Sequence, residues 1–129
     1  DETLGEANAR NYHKWIRESL AANKSMDRFV SDILTAQGPL DKNPAGNFFR
    51  AARESDGKVL PDSLSQASAQ LFLGVRMTCA KCHNHPFERW TQDDYYHLAA
   101  FFGQVKTKGP EKGAQQIVLD PDGEVEHLR

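Results

Sequence analysis

Two cysteines and a histidine carry the clearest chemistry in this 129-residue chain, in the segment Cys79-Ala80-Lys81-Cys82-His83. Two residues separate the chain's two cysteines, and the histidine follows at once. This spacing is typical of covalent haem attachment, because each thiol can then add to one vinyl group of the porphyrin. The imidazole is left beneath the iron as an axial ligand. The segment therefore predicts one haem c per chain, held by Cys79 and Cys82, with His83 as the proximal iron ligand.

Two other kinds of site could use the same thiols. A redox dithiol of the thioredoxin type requires a strand that leads into a helix, whereas the flanks of residues 79–83 have helical patterns. A structural zinc site needs four ligands, usually from two separated pairs, and the chain has no second cysteine pair. Both sites stay open as alternatives to haem.

The sixth iron ligand determines what chemistry a haem would perform. Methionine raises the reduction potential, a second histidine lowers it, and an open position admits small ligands. The distal candidate is His13, because it borders the apolar stripe of the first predicted helix. His85 is only two residues from His83, so we expect it to lie on the proximal side and to bond a propionate or a carbonyl group.

Composition excludes several classes of partner. Sixteen Lys and Arg residues against eighteen Asp and Glu residues give a formal net charge of −2, without a basic run. This balance predicts that the chain binds no nucleic acid. No apolar stretch approaches the ~20 residues of a membrane span. The motifs of serine hydrolases, phosphate-binding loops and zinc proteases do not occur, which favours a protein that is not an enzyme.

The first residue is Asp1 rather than methionine. Haem attachment to such a segment takes place on the outer side of the cytoplasmic membrane. We therefore expect a secreted protein, periplasmic or extracellular, whose signal peptide has been removed.

Apolar periodicity predicts a mainly α-helical fold, with about four helices around the covalently attached haem c. The predicted helices cover residues 7–22, 26–34, 62–75 and 92–102. Ser25 fits the N-cap of the second helix, and Thr91 with Asp94 resembles a capping box for the last. The buried stripes are predicted to include Tyr12, Trp15, Ile16, Leu20, Met26, Phe29, Leu64, Leu71, Phe72, Tyr95 and Phe102.

Two regions outside these helices have turn chemistry. Residues 40–61 are rich in glycine, proline, asparagine and aspartate, which predicts a long loop with a short helical turn. Residues 116–119 and 124–128 flank an Asp-Pro-Asp-Gly turn, which predicts a small C-terminal β-hairpin. We assign residues 1–105 to one helical domain and residues 106–129 to an extension that carries this hairpin.

The run from residue 71 to 96 resembles the signature of the planctomycete cytochrome-c-like domain, a family long catalogued as a domain of unknown function. Residues 12–17, 23–30 and 43–50 are similar to it as well, so the likeness covers nearly the whole chain. The resemblance implies covalent haem and an extracytoplasmic setting.

These observations lead to one functional expectation and one alternative. We expect a monohaem c-type cytochrome that transfers electrons outside the cytoplasm, with other redox proteins or haem domains as partners. A single haem passes electrons only to a close neighbour, so a homo-oligomer or filament is a further expectation. An open distal site would instead make the protein a haem-based sensor or a peroxidase.

Overall fold

The computed structural model describes residues 4–52, 60–110 and 114–123. Its contacts divide the chain into two compact units. The first unit comprises residues 1–51 and 106–119, and the second comprises residues 52–105 and 120–129. The candidate haem segment therefore belongs to the second unit, and His13 belongs to the first.

The described residues are mainly helical, as predicted. The α-helices are α1 Glu6–Ala21, α2 Met26–Leu34, α3 Asn47–Ala51, α4 Pro61–Ser68 and α5 Gln92–Ala100. The strands are β1 Gly38–Pro39, β2 Val105–Lys108 and β3 Gln116–Leu119. Two 3₁₀ turns cover Pro44–Gly46 and Met77–Lys81, and a π-helical segment covers Ala69–Leu73. Within the described ranges, every helix is too short or too polar to traverse a lipid bilayer.

Aromatic stacking joins α1 to α2 in the first unit. The rings of Trp15 and Phe29 are stacked, with centroids 4.9 Å apart. The ammonium of Lys24 lies 5.2 Å from the Trp15 ring centroid and bonds Asp32 at 2.6 Å. The predicted buried stripes of α1 and α2 were too long, however, because the side chains of Leu20 and Met26 are 62% and 66% exposed. Leu20 lies in the last turn of α1 and Met26 begins α2, so both lie beyond the buried stretch.

The predicted helix count of about four was too low, because α3 is a fifth helix in the described residues. It was predicted only as a short turn within a loop. Phe48 and Phe49 are 3% and 1% exposed, so burial of two adjacent aromatic rings stabilises a helix of only five residues. Such a helix shows no full period of apolar residues, which is why the sequence pattern did not reveal it.

A three-stranded sheet of order β1-β3-β2 completes the first unit. β1 pairs antiparallel with β3, with Gly38 opposite Ile117 and Pro39 opposite Gln116. The predicted strand at residues 116–119 is confirmed, but in the described sheet it lies between β1 and β2. The other predicted hairpin strand, residues 124–128, lies outside the described residues. Ile117 is only 1% exposed, so it ties the sheet into the buried core of this unit.

The second unit contains the predicted helix at residues 62–75, although not as one regular α-helix. α4 ends at Ser68, the π-helical segment follows, and Gly74 ends it in the left-handed region at φ 69°. A π-turn holds more residues than an α-turn, so it rotates the side chains that follow it. This rotation explains why Leu71, predicted to be buried, is 68% exposed.

The capping box predicted for α5 is confirmed. The Thr91 hydroxyl accepts the Asp94 N–H at 3.1 Å, and the Asp94 carboxylate accepts the Thr91 N–H at 2.8 Å. The backbone bond, with help from the Thr91 hydroxyl, holds the pKa of Asp94 below its ordinary value. Ser25 is the N-cap residue of α2, as predicted, but its side chain caps no backbone N–H. Its side chain instead bonds the Asp27 carboxylate, which lowers the pKa of Asp27.

We expect Thr91→Ala to lower the free energy of unfolding by about 1 kcal/mol, because it removes the side-chain acceptor of the α5 N-cap. Thr91→Ser keeps a hydroxyl and is the matched control. Because the folded pKa of Asp94 is depressed, its share of the box is present at neutral pH and disappears as pH falls through that lowered value. Urea unfolding at neutral and acidic pH measures both effects, and equal stability of the alanine and serine variants would contradict the prediction.

Candidate functional site

The two cysteines are exposed at a 3₁₀ turn, with Cys79 inside it and Cys82 directly after it as its C-cap residue. Such a turn has three residues per repeat, so residues three apart share a side. Met77 and Ala80 point inward, at 3% and 0% exposure. Cys79 and Cys82 follow the same three-residue interval and are both exposed, with free thiols. Their exposure and their three-residue spacing therefore favour presentation of both thiols to one external group.

A small core supports this turn from below. Ala69, Met77, Ala80, Tyr95 and Tyr96 form it, and Val75, Trp90 and Leu98 pack against it. The two tyrosine rings meet edge to face, with centroids 5.2 Å apart and planes at 79°. Burial raises the pKa of Tyr95. The inner side of the turn is therefore anchored by packing while its outer side stays accessible.

Lys81, between the two cysteines, is held by the flanking helices. Its ammonium bonds the Asp62 carboxylate of α4 at 2.7 Å, and this bond raises the pKa of Lys81. Its carbonyl oxygen accepts the Gln92 side-chain amide of α5 at 3.0 Å and, more distantly, the Tyr96 hydroxyl at 3.4 Å. Both helices thus hold the residue that connects the thiols.

A second chain of hydrogen bonds holds the start of the turn. The Thr78 hydroxyl donates to Gln66 Oε1 at 3.1 Å, and Gln66 Nε2 donates to the Tyr95 hydroxyl at 2.8 Å. Sequence reasoning missed these supporting residues of α4 and α5. No motif could have revealed them, because their partners lie 11 to 29 positions away in the chain.

The ring proton of His83 is placed by its neighbour. Its Nδ1 lies 2.7 Å from the carbonyl oxygen of Asn84. A carbonyl oxygen only accepts hydrogen bonds, so Nδ1 is the donor in this contact. In the neutral ring Nε2 then keeps its lone pair. Metal-binding histidines commonly donate their other ring N–H to a carbonyl in this manner, so this imidazole suits an axial ligand.

His85 has the opposite tautomer. The backbone N–H groups of Phe87 and Glu88 donate to its Nδ1 at 3.3 and 3.1 Å. Nδ1 is therefore the acceptor, and the neutral ring carries its proton on Nε2. An Nε2–H group donates a hydrogen bond and offers no lone pair to a metal. The geometry thus distinguishes two histidines that are only two residues apart.

The remaining histidines are dispersed. His13, the predicted distal ligand, lies exposed on α1 of the first unit, and its ligand role stays a prediction. His97 is exposed on α5, and His127 lies outside the described residues. Among the residues that the structure describes, no three histidine, cysteine or acidic side chains are grouped as metal ligands. The zinc alternative therefore has no assembled ligand set in that part of the chain.

The dithiol alternative fits the local backbone poorly. Thioredoxin-like thiols lie where a strand enters a helix. Here the residues before Cys79 are a π-helical segment and a short connection, and those after Cys82 form an irregular loop. The described geometry is better suited to a group that binds both thiols from outside.

Comparison with known proteins identifies one family. The model of PSCyt2, described as a protein of unknown function (DUF1549), matches residues 2–107. No curated protein and no solved structure matches the chain.

Proposed function

We propose that this chain, which belongs to the PSCyt2 family, is a monohaem c-type cytochrome that transfers electrons outside the cytoplasm. One observation carries the proposal: two free, exposed thiols lie three residues apart at a supported turn, directly before an imidazole whose Nε2 keeps its lone pair. This donor set fits a haem c. The supporting bonds to Lys81 and Thr78 hold the turn in place for a bulky group outside it.

Cys79 and Cys82 hold the porphyrin in this proposal. Each thiol would hold one vinyl-derived carbon of the porphyrin as a thioether. His83 would offer Nε2 to the iron, while its Nδ1–H stays bonded to the Asn84 carbonyl. Once bound, the haem supplies a one-electron ferric–ferrous couple.

The ligand on the distal side of the iron determines whether the protein is an electron carrier or a protein that binds small molecules. His13 is our candidate for the sixth ligand, and a closed sixth position leaves electron transfer as the function. Other redox proteins or haem domains are the proposed partners, in a periplasmic or extracellular location. A homo-oligomer or filament of identical chains would shorten the distance from one haem to the next.

The first experiment is an absorption spectrum of the protein purified from an export-competent host, oxidised and then reduced. We expect a pyridine haemochrome typical of two thioether bonds, and a reduced spectrum that carbon monoxide leaves unchanged. A change on adding carbon monoxide would move the function to sensing or peroxide chemistry. A correctly exported protein without colour would overturn the cytochrome proposal and return attention to zinc or a dithiol at Cys79 and Cys82.

A further inference from the structure

A cleft of about 500 Å³ lies beside the cysteine turn in the second unit. We call it the arginine cleft, and its lining includes Val75, Arg76, His85, Phe87, Arg89 and Trp90. These residues come from two short stretches, one just before the turn and one just after it. The haem ligands proposed above are not among them, so the arginine cleft is a separate surface.

Two guanidinium groups give the arginine cleft its charge. The Arg89 guanidinium lies 5.1 Å from the Trp90 ring centroid, within the range of a cation–π contact that orients it. Arg76 supplies the second positive charge, and Glu88 supplies one negative charge. Planar guanidinium groups bind carboxylates through paired hydrogen bonds. The balance of charge therefore favours an anionic guest.

His85 adds a neutral donor to the lining. Its Nδ1 accepts two backbone N–H groups, so its remaining ring N–H, on Nε2, is a hydrogen-bond donor. The backbone N–H of His85 donates to the Trp90 carbonyl oxygen at 2.8 Å, and this bond closes the loop that carries the imidazole. Two guanidinium groups and one imidazole N–H thus line the same cleft, and all three suit carboxylate oxygens.

The arginine cleft also has apolar walls. Val75 and Trp90 pack against the core beneath the cysteine turn. Phe87 lines the cleft and is 91% exposed, so its ring is accessible to a bound group. Apolar walls beside guanidinium groups fit a guest that combines a flat hydrophobic ring with carboxylates.

The chain path brings the arginine cleft close to the thiols. Arg76 precedes Cys79 by three residues, and His85 follows Cys82 by three residues. Three residues span at most roughly 11 Å between Cα atoms, so each cysteine lies near the lining. A porphyrin held at Cys79 and Cys82 would bring two carboxylates to this part of the second unit.

We propose that the arginine cleft binds the haem propionates, with Arg76 and Arg89 as the charged partners and His85 Nε2–H as a neutral donor. This inference rests on the proposed function, since it concerns the same haem. The three residues act on the iron through the carboxylates, so they are positioning residues that adjust its potential. Loss of one positive charge beside the propionates leaves more negative charge near the iron and stabilises the ferric state.

The test is a redox titration of the haem-loaded protein and its variants. We expect Arg76→Gln and Arg89→Gln each to lower the ferrous-to-ferric ratio at fixed ambient potential by about threefold, as one charge some 10 Å away near a surface would do once salt at physiological ionic strength screens it. The double variant should approach tenfold, which is about 59 mV for a one-electron couple. Glu88→Gln should shift the potential in the opposite direction. Arg28→Gln, at an exposed position of α2, is the matched control for loss of one guanidinium charge.

The outcomes separate this inference from the proposed function. Covalent haem with equal potentials in the Arg28, Arg76 and Arg89 variants would overturn the propionate site and leave the cytochrome proposal intact. A protein without covalent haem would overturn both. Arg89→Lys keeps the charge but loses the planar fork, so its potential should lie between those of the wild type and Arg89→Gln. Circular dichroism of each variant checks that its fold is retained.

Discussion

Serine in place of both cysteines is expected to abolish covalent haem. In the Cys79→Ser, Cys82→Ser double variant no thioether can form, because a hydroxyl does not replace the thiol in addition to a vinyl group. Both side chains are exposed, so the substitutions leave the core beneath the turn untouched. Haem staining of the denatured protein on a gel should fall from one haem per chain to none.

The single variants are the controls for this result. Cys79→Ser and Cys82→Ser each keep one thiol, so haem should survive denaturation but with one unsaturated vinyl group. The pyridine haemochrome band should then move to longer wavelength in both single variants. Haem that remains on the denatured double variant would contradict attachment through these two residues.

The second large effect is expected at Tyr95, which is 1% exposed in the core under the cysteine turn. Tyr95→Ala removes a buried ring that meets Tyr96 edge to face. We expect the free energy of unfolding to fall by about 3–5 kcal/mol, the range for truncation of a large buried aromatic side chain. Urea unfolding of the wild type and the variant, prepared side by side with the same haem content, measures the change.

Two further variants identify the cause of that loss. Tyr95→Phe keeps the ring but removes the hydroxyl that accepts the Gln66 amide at 2.8 Å, so it should cost about 1 kcal/mol. Phe101→Ala truncates a ring that is 81% exposed in the same unit, and its stability should stay within about 0.5 kcal/mol of the wild type. If Phe101→Ala were as damaging as Tyr95→Ala, the burial argument would be wrong.

Some predictions that depend only on residues close together in the chain agree with the structure. The capping box of Thr91 and Asp94 is confirmed because both of its bonds lie within three residues. The three-residue interval between Cys79 and Cys82 is also local, and both thiols are exposed at the 3₁₀ turn. The role of these cysteines in haem attachment is still a prediction.

What the sequence did not reveal depends on contacts that are distant in the chain or on small changes of helical geometry. The bond from Lys81 to Asp62 crosses nineteen positions, and neither residue has a distinctive pattern around it. The tautomers of His83 and His85 depend on the path of the loop between them and Trp90, which residue types alone do not define. The burial of Phe48 and Phe49 likewise follows from tertiary packing rather than from periodicity.

The π-helical segment Ala69–Leu73 holds more residues per turn than a regular α-helix. Deleting one residue there would let α4 continue as an ordinary α-helix, because a single π-turn absorbs one extra residue. The segment of five residues would then follow the tighter path of an α-helix, so the cysteine turn after it would keep nearly the same position and direction. A one-residue gap at this point in an alignment of relatives would therefore mark a regular α-helix that leads into the same cysteine turn.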